Sequence, residues 1–424
     1  PDSILAAHQS NNSIDIKRGL GSTLTAFVSA SGGASVGQYG PLVHFGATIA
    51  TFLENFTSKR LRPGIFIGCG VAAAISAGFN APIAGLVFAH EAVLRHFSLR
   101  AGGAIAISSI TASTIGSGVF KETLGLKIIS DAPQLIEIVP IVLICSPIFG
   151  VLAIFFMYSI RLGGKISKAT KFSPSYQILF AALVCGSIGV FVPEILGLGT
   201  NEMNNIFANQ YEIVFLFIIL IGKVFMTSLC IGFGFFGGIF APALYVGAAG
   251  GGFIANSLII MGFSLSLPAL ALAGTAAVGA VAIGAPIATT LIILEFTGSY
   301  EFAVAAMIAV QVSTFMAHRL YGDSLFDMAL NDRGFRIALG RQHIQMNDIP
   351  LSKILSSDAL TFNENLQIKD VNLQMLNKEV TEAVVINSEN IYIGKISIHD
   401  ILQTNLDHKI KIKSLIKNTH LVLD

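Results

Sequence analysis

Gly37-Gln38-Tyr39-Gly40-Pro41-Leu42-Val43-His44-Phe45-Gly46-Ala47 is answered, 201 residues later, by Gly238-Ile239-Phe240-Ala241-Pro242-Ala243-Leu244-Tyr245-Val246-Gly247-Ala248. A second pair follows. Asn80-Ala81-Pro82-Ile83-Ala84-Gly85-Leu86-Val87-Phe88-Ala89-His90-Glu91 matches Gly284-Ala285-Pro286-Ile287-Ala288-Thr289-Thr290-Leu291-Ile292-Ile293-Leu294-Glu295 at an offset of 204. Two separate matches at nearly one offset mark an internal repeat. In each copy Gly and Pro stand just ahead of an apolar helical run. Pro suits a first helical turn, where its missing N–H costs nothing. Gly lets the backbone approach closely. Each motif therefore presents a helix N-terminus, whose unpaired N–H groups and positive dipole end attract anions. Matched broken helices in two halves are the sequence mark of a transport site within a membrane. For any one motif, a kink that serves only packing is the alternative reading. The common offset argues against it for both.

The surrounding composition is that of a membrane protein. Of 424 residues, 53% are hydrophobic and 12% charged, about half the roughly 25% charged residues of soluble domains. The 42 glycines suit closely packed membrane helices. Residues 138–160, 177–192 and 213–231 are long and apolar enough to span a bilayer. The stretches 31–53, 64–92, 232–262 and 268–297 are apolar but broken by Gly and Pro. Such breaks survive at membrane depth only where protein or a watery cavity covers them. A net charge of +1 lacks the basic footprint of a nucleic-acid binder. Cys69, Cys145, Cys185 and Cys230 lie in apolar stretches, with no CxxC pair and no His at ligand spacing. They read as buried free thiols rather than metal ligands or disulfides.

Charge gives an expected sidedness. Arg161, Lys165, Lys168 and Lys171 read as a short basic loop, and His318, Arg319, Arg333, Arg336 and Arg341 as a second basic cluster. The positive-inside rule puts both in the cytosol, with the mixed segment 121–137 opposite. The expected organisation is a membrane domain over 1–343 and a small cytosolic α/β domain over 344–424. Within the latter, 360–362, 383–386 and 392–397 read as strands and 366–377 as a helix. The chain begins at Pro1 with neither Met nor a signal peptide, so further sequence is expected before it and after its polar tail.

These residues resemble the CLC chloride channel and transporter family, over about 1–335. That family has three anion-binding loops, written GSGIP, GREGP and GxFxP. Gly238-Ile239-Phe240-Ala241-Pro242 fits the third fully, Gly37-Gln38-Tyr39-Gly40-Pro41 fits the second at its glycines and proline, and Pro1 looks like the end of the first. Phe79-Asn80-Ala81-Pro82-Ile83-Ala84-Gly85, Pro193-Glu194-Ile195-Leu196-Gly197-Leu198-Gly199 and Lys223 are also family-like. The resemblance implies an all-α polytopic fold built as an inverted repeat with broken, re-entrant helices. It also implies chloride or another small anion as cargo, membrane lipid as the surroundings, and a homodimer with one pathway per subunit. The tail resembles a CBS domain, with a second copy beginning in 404–424. Some CBS modules bind adenine nucleotide, which would place Ser397 and Asp400 at such a site; a purely structural domain is the other reading.

Three positions depart from the family pattern. The gating Glu of GREGP is Tyr39, and the Arg before it is Gln38. A phenol, with a pKa near 10, cannot stand in for that carboxylate near neutral pH. The internal proton-relay Glu is Ala92, and the anion-coordinating Tyr is Phe326. The expected site is therefore backbone N–H groups around Gln38, Tyr39 and Gly40 and around Ile239 and Phe240. Tyr39 is the gate and Phe326 narrows the inner mouth. Weak dipolar binding of this kind suits conduction. The expected activity is anion passage without stoichiometric proton exchange. Alternatives are an antiporter using His44, His90 or Glu91, or a transport-inactive sensor. As bland readings, His44 packs or bonds within its own helix, His90 packs, and Glu91 is a structural carboxylate. A cation symporter is imaginable from the repeat, but helix N-termini repel cations. No HExxH, GxSxG or other nucleophile–base arrangement points to an enzyme, and Ser31 and Ser35 lack an evident base.

Overall fold

A computed structural model describes residues 1–9, 14–54, 56, 63–119, 133–335, 359–389, 391–403 and 411–416. The chain divides into two compact units, Pro1–Asp348 and Ile349–Asp424. Arg336, Arg341, most of 121–137 and most of 404–424 lie outside the described residues.

The secondary-structure elements described in the first unit are all helices. Its first half comprises α1 (Asp2–His8), α2 (Ile16–Ser31), α3 (Tyr39–Glu54), α4 (Pro63–Phe79), α5 (Pro82–Phe88) and α6 (Leu99–Val119). Next come α7 (Leu135–Thr170) and α8 (Pro174–Phe191). The second half repeats the first as α9 (Thr200–Phe207), α10 (Ile213–Gly232), α11 (Phe240–Ile260), α12 (Leu267–Ile283), α13 (Pro286–Thr297) and α14 (Tyr300–Leu320), and α15 (Leu325–Asn331) closes the unit.

The repeat seen in sequence is a repeat of packing. In the first half, α3 crosses α4 where Gly46 meets Gly70. A Cβ on either would run into the other's carbonyl oxygen. In the second half, α11 crosses α12 at Gly247 and Gly274, the equivalent residues, with the same mutual obstruction. Small residues at crossings let membrane helices approach through their backbones. This is what the Gly-rich composition serves.

Five described helices are long and apolar enough to cross a membrane, α7, α8, α10 and α11 among them. By contrast α4 and α12 have 17 residues each. At 1.5 Å per residue they reach about 26 Å, short of the roughly 30 Å hydrocarbon core. Short helices of this sort can end within the membrane. That matters because α3, α5, α11 and α13 all begin at the Gly/Pro breaks.

One expectation changes. Arg161, Lys165 and Lys168 belong to α7, which runs on to Thr170 and ends at Lys171 in a left-handed turn (φ 55°). The Gly163-Gly164 pair does not break the helix. Gly163 instead packs directly on the backbone of Ser228 in α10, where a Cβ would meet the Ser228 carbonyl. Lys and Arg are good helix formers, so the basic stretch extends the helix rather than ending it. Of the cysteines, Cys145, Cys185 and Cys230 are buried and Cys69 is half-buried, all with free thiols.

The second unit has three strands, β1 (Thr361–Asn363), β2 (Glu382–Ile386) and β3 (Tyr392–Ser397), with α16 (Ile368–Asn377) between β1 and β2 and α17 (Ile398–Gln403) after β3. Strand β1 pairs parallel with β2, and β2 antiparallel with β3. The parallel pair needs a crossover, which α16 supplies. Phe362, Val371, Met375, Val385 and Ile396 form its core.

Candidate anion site

The two Gly/Pro loops of the first unit meet. Gly37 and Gly238, equivalent residues of the two halves, form an isolated antiparallel bridge. Each amide donates to the other's carbonyl at 2.6 Å. Only glycine fits. A Cβ on Gly238 would lie 2.8 Å from the Gly40 nitrogen, and one on Gly37 2.9 Å from the Gly238 oxygen. Helices α3 and α11 start immediately after this bridge, at Tyr39 and Phe240. Their first internal bonds come one residue beyond the prolines, Leu42 N–H to Gln38 O and Ala243 N–H to Ile239 O, both at 3.0 Å. The amides of Tyr39, Gly40, Phe240 and Ala241 therefore have no intrahelical acceptor. Prolines 41 and 242 remove the third donor, which would otherwise be unsatisfied.

A cavity of about 460 Å³ runs up to this junction. Tyr39, Gly40, Gly238, Ile239, Phe240 and Phe326 all line it, as does Ala92. Gln38 does not. It faces a separate pocket of about 10 Å³ beyond Tyr39, with Phe79, Leu198 and Phe296. Tyr39 is the residue that borders both spaces along with the loops. Of the anticipated anion-lining residues, five line the cavity, and Gln38 lines the small pocket instead.

That ring is held on several sides. Tyr39, only 7% exposed, stacks on Phe79 at 3.8 Å between centroids and meets Phe240 edge-on at 6.0 Å. Phe79 also meets Phe240 and Phe296 edge-on, at 5.6 and 5.8 Å. The sequence motifs contain Phe79 and Phe240, but their grouping around Tyr39 comes from tertiary structure.

The second motif pair does something different from the first. Glu91 accepts the amides of Ile287 (2.9 Å) and Ala288 (2.7 Å) at the start of α13. Glu295 accepts those of Ile83 (2.9 Å) and Ala84 (2.7 Å) at the start of α5. Each half's carboxylate caps the other half's helix. Such reciprocity is what a two-fold relation between the halves demands. It also corrects the expectation that both motif pairs offer free helix N-termini: α5 and α13 are already occupied by carboxylates. Glu91→Ala and Glu295→Ala each leave two amides unpaired, at roughly 1–3 kcal/mol per group. Both variants are expected to lower the thermal midpoint of the purified protein by similar amounts. A large loss in one and none in the other would contradict the reciprocal arrangement.

Residues 89–94 form a π-helical turn that carries both Glu91 and Ala92. It ends at Arg95, in a left-handed conformation (φ 56°), whose guanidinium reaches Asp327 at 2.7 Å. π-Bulges recur at functional sites. His90 stacks on Phe97 at 5.4 Å and bonds the Leu86 carbonyl, so it packs as expected. The expectation for His44 is corrected. Its Nδ1 lies 2.9 Å from Ser3 Oγ on α1, not on its own helix, because α1 packs across the start of α3. Sequence reading did not anticipate Arg161 and Asp332 on the cavity wall, where they pair at 3.2 Å. Fully buried Lys223 does not reach the cavity. Its Nζ donates to the Ile195 (3.2 Å) and Gly197 (2.8 Å) carbonyls, fixing the loop that carries Leu198 to Tyr39.

In the second unit, Ser397 ends β3 and Asp400 lies in the first turn of α17. The Ser397 hydroxyl oxygen accepts the His399 amide at 3.1 Å.

Residues 1–318 match the family described as Voltage gated chloride channel. The chain belongs to that family. Its fold is the predominantly helical CLC type, and it is an integral, multi-pass membrane protein. It is 25% identical over 335 residues to the voltage-gated ClC-type chloride channel ClcB of Escherichia coli (strain SMS-3-5 / SECEC), a match covering 77% of this chain and 79% of that protein. Against the H(+)/Cl(-) exchange transporter ClcA of Vibrio cholerae serotype O1 (strain M66-2) it is 27% identical over 331 residues, covering 75% of this chain and 69% of that one. Among solved structures, a slow cyanobacterial Cl⁻/H⁺ antiporter superposes with a TM-score of 0.70 at 21% identity, covering 78% of this chain and 80% of that one. A CLC-type fluoride/proton antiporter superposes at 0.60 with 26% identity, covering 69% and 73%. The chloride channel family thus includes relatives named as channels and relatives named as proton-coupled exchangers.

Proposed function

We propose that this protein passes chloride or a similar small anion across the membrane by the junction of α3 and α11, without stoichiometric proton exchange. One observation carries the reading. The Gly37–Gly238 bridge sets the free amides of both helix starts at the end of one cavity. Amide dipoles there hold a partly dehydrated anion weakly enough to release it. The uncoupled character rests on the residues at the two positions where the family's exchangers carry glutamates. Tyr39 and Ala92 occupy them, and neither gains or loses a proton near neutral pH. Of the other titratable candidates, Glu91 is committed to two amides and His90 to a ring stack and a carbonyl. The assembly is read as a homodimer with its second unit in the cytosol. The homodimer rests on the family resemblance, and the cytosolic placement on the positive-inside reading of the basic residues.

The test is anion flux in liposomes, with proton movement recorded at the same time. A chloride gradient is expected to drive chloride and leave the internal pH unchanged. Uphill proton movement driven by chloride would establish an exchanger and sink the uncoupled reading.

A further inference from the structure

The cavity holds a basic side chain that the amide site does not use. Among its described lining residues, Arg161 and His44 are the basic side chains. Arg161 is taken up by Asp332 at 3.2 Å and by the Met328 sulfur at 2.7 Å. His44 stands on α3 one helical turn past Pro41, so it follows directly on the free amides of Tyr39 and Gly40. Residues three and four apart share a helix face, which is why Gly40 and His44 line the same cavity. Ser3 Oγ holds Nδ1 at 2.9 Å. A ring fixed through one nitrogen keeps its orientation and leaves Nε2 as the nitrogen for a ligand.

We propose that His44 is a second, pH-sensitive anion ligand: its imidazolium holds the incoming anion in the cavity and passes it to the amides at the α3 and α11 starts. The proposal rests on the anion-pathway reading above. It adds a proton-dependent step in which no proton crosses the membrane. The proton stays on the imidazole while anions come and go. Charge around the ring is nearly balanced without it. On α1, Asp2 is paired with Arg333 at 2.5 Å. On α7, Arg161 is paired with Asp332. Helix α4 carries no charged residue, and α2 turns Ser22 to the cavity while its Lys17 and Arg18 are exposed. Protonating His44 therefore changes the net charge of the cavity by a full unit. Through low-dielectric walls, that is a strong attraction for an anion.

The experiment compares chloride flux in liposomes with both faces held at about pH 4.5 or about pH 7.5, the acid arm set well below the pKa near 6.5 of a free imidazole. Wild-type flux is expected to be several-fold higher at the acid pH. His44→Gln, which keeps a partner for Ser3 but cannot charge, is expected to give a flat profile. His44→Gln retaining the wild-type acid stimulation would overturn the proposal. Chloride titration of the purified wild-type protein by calorimetry needs no variant. Tighter binding at acid pH is expected, and equal affinity at both pH values would overturn the assignment. Wild-type flux that is robust but flat with pH sinks the His44 ligand alone. Absence of any anion flux, at either pH, sinks the pathway and the ligand together.

Discussion

Tyr39→Ala is expected to raise anion flux by roughly ten- to thirtyfold. In the structure the phenol ring closes the far end of the cavity, and the pocket beyond it has a volume of only about 10 Å³. For an anion to pass, the ring must leave its stack on Phe79 and its edge contact with Phe240. Aromatic pairs of this kind are worth about 0.5–1.5 kcal/mol each. Two of them add about 2 kcal/mol to the opening step, or roughly thirtyfold in rate. Truncation removes both contacts and the obstruction together. It also costs stability, about 3–5 kcal/mol for an aromatic side chain in a packed core, so flux must be normalised to folded protein. Tyr39→Glu separates plug from charge. A carboxylate at this site competes with the anion for the same amides and titrates in the acid range. Its flux is expected to fall below that of Tyr39→Ala and to rise as the pH is lowered. Rates for both variants equal to wild type at every pH would remove Tyr39 from the pathway.

Gly238→Ala is expected to abolish transport while leaving most of the helical fold intact. The new methyl would stand 2.8 Å from the Gly40 nitrogen and 3.2 Å from the Gly37 oxygen. Those atoms are backbone, so the strain cannot be relieved by turning a side chain. Either the loops separate and both bridge bonds are lost, or the methyl covers the Gly40 amide that faces the cavity. The first outcome costs about 1 kcal/mol per bond and misplaces the α11 start. The second blocks the anion directly. Flux should fall at least about tenfold, a barrier change of about 1.4 kcal/mol. Gel filtration and thermal melting of the same preparation report whether the protein still folds. A well-folded Gly238→Ala protein with wild-type flux would show that the loop junction is not on the anion route.

Much of this was legible in the chain because the signals were repeated. The offset between Pro41 and Pro242 fixed which loops to compare, and α3 and α11 begin where those motifs said. The same alignment already paired Glu91 with Glu295, yet it did not reveal that each serves the other's helix. Reciprocal capping is a relation across the two-fold, and sequence shows only that two residues are equivalent. The ring cluster escaped for a similar reason. Phe79, Phe240 and Phe296 come from three separate segments and meet only when the helices pack. His44 was visible as a residue one turn past a proline. Its partner Ser3 lies 41 residues away on another helix, so a bond within its own helix was the natural but mistaken choice. The basic residues of α7 misled because charge ordinarily marks a loop, whereas Gly163 and Ser228 hold that helix together beyond the apolar span. The second unit's strand–helix–strand–strand order could be read from alternation alone, since its core residues recur on one face.

The most direct test is to locate the anion. Crystals of the protein grown or soaked in bromide, measured at the bromine absorption edge, report its position without reference to any mechanism. An anomalous peak within hydrogen-bonding distance of the Gly40 and Phe240 amides, beside the Gly37–Gly238 bridge, is the predicted result. A transport-competent protein whose bromide peaks all lie away from that junction would contradict it.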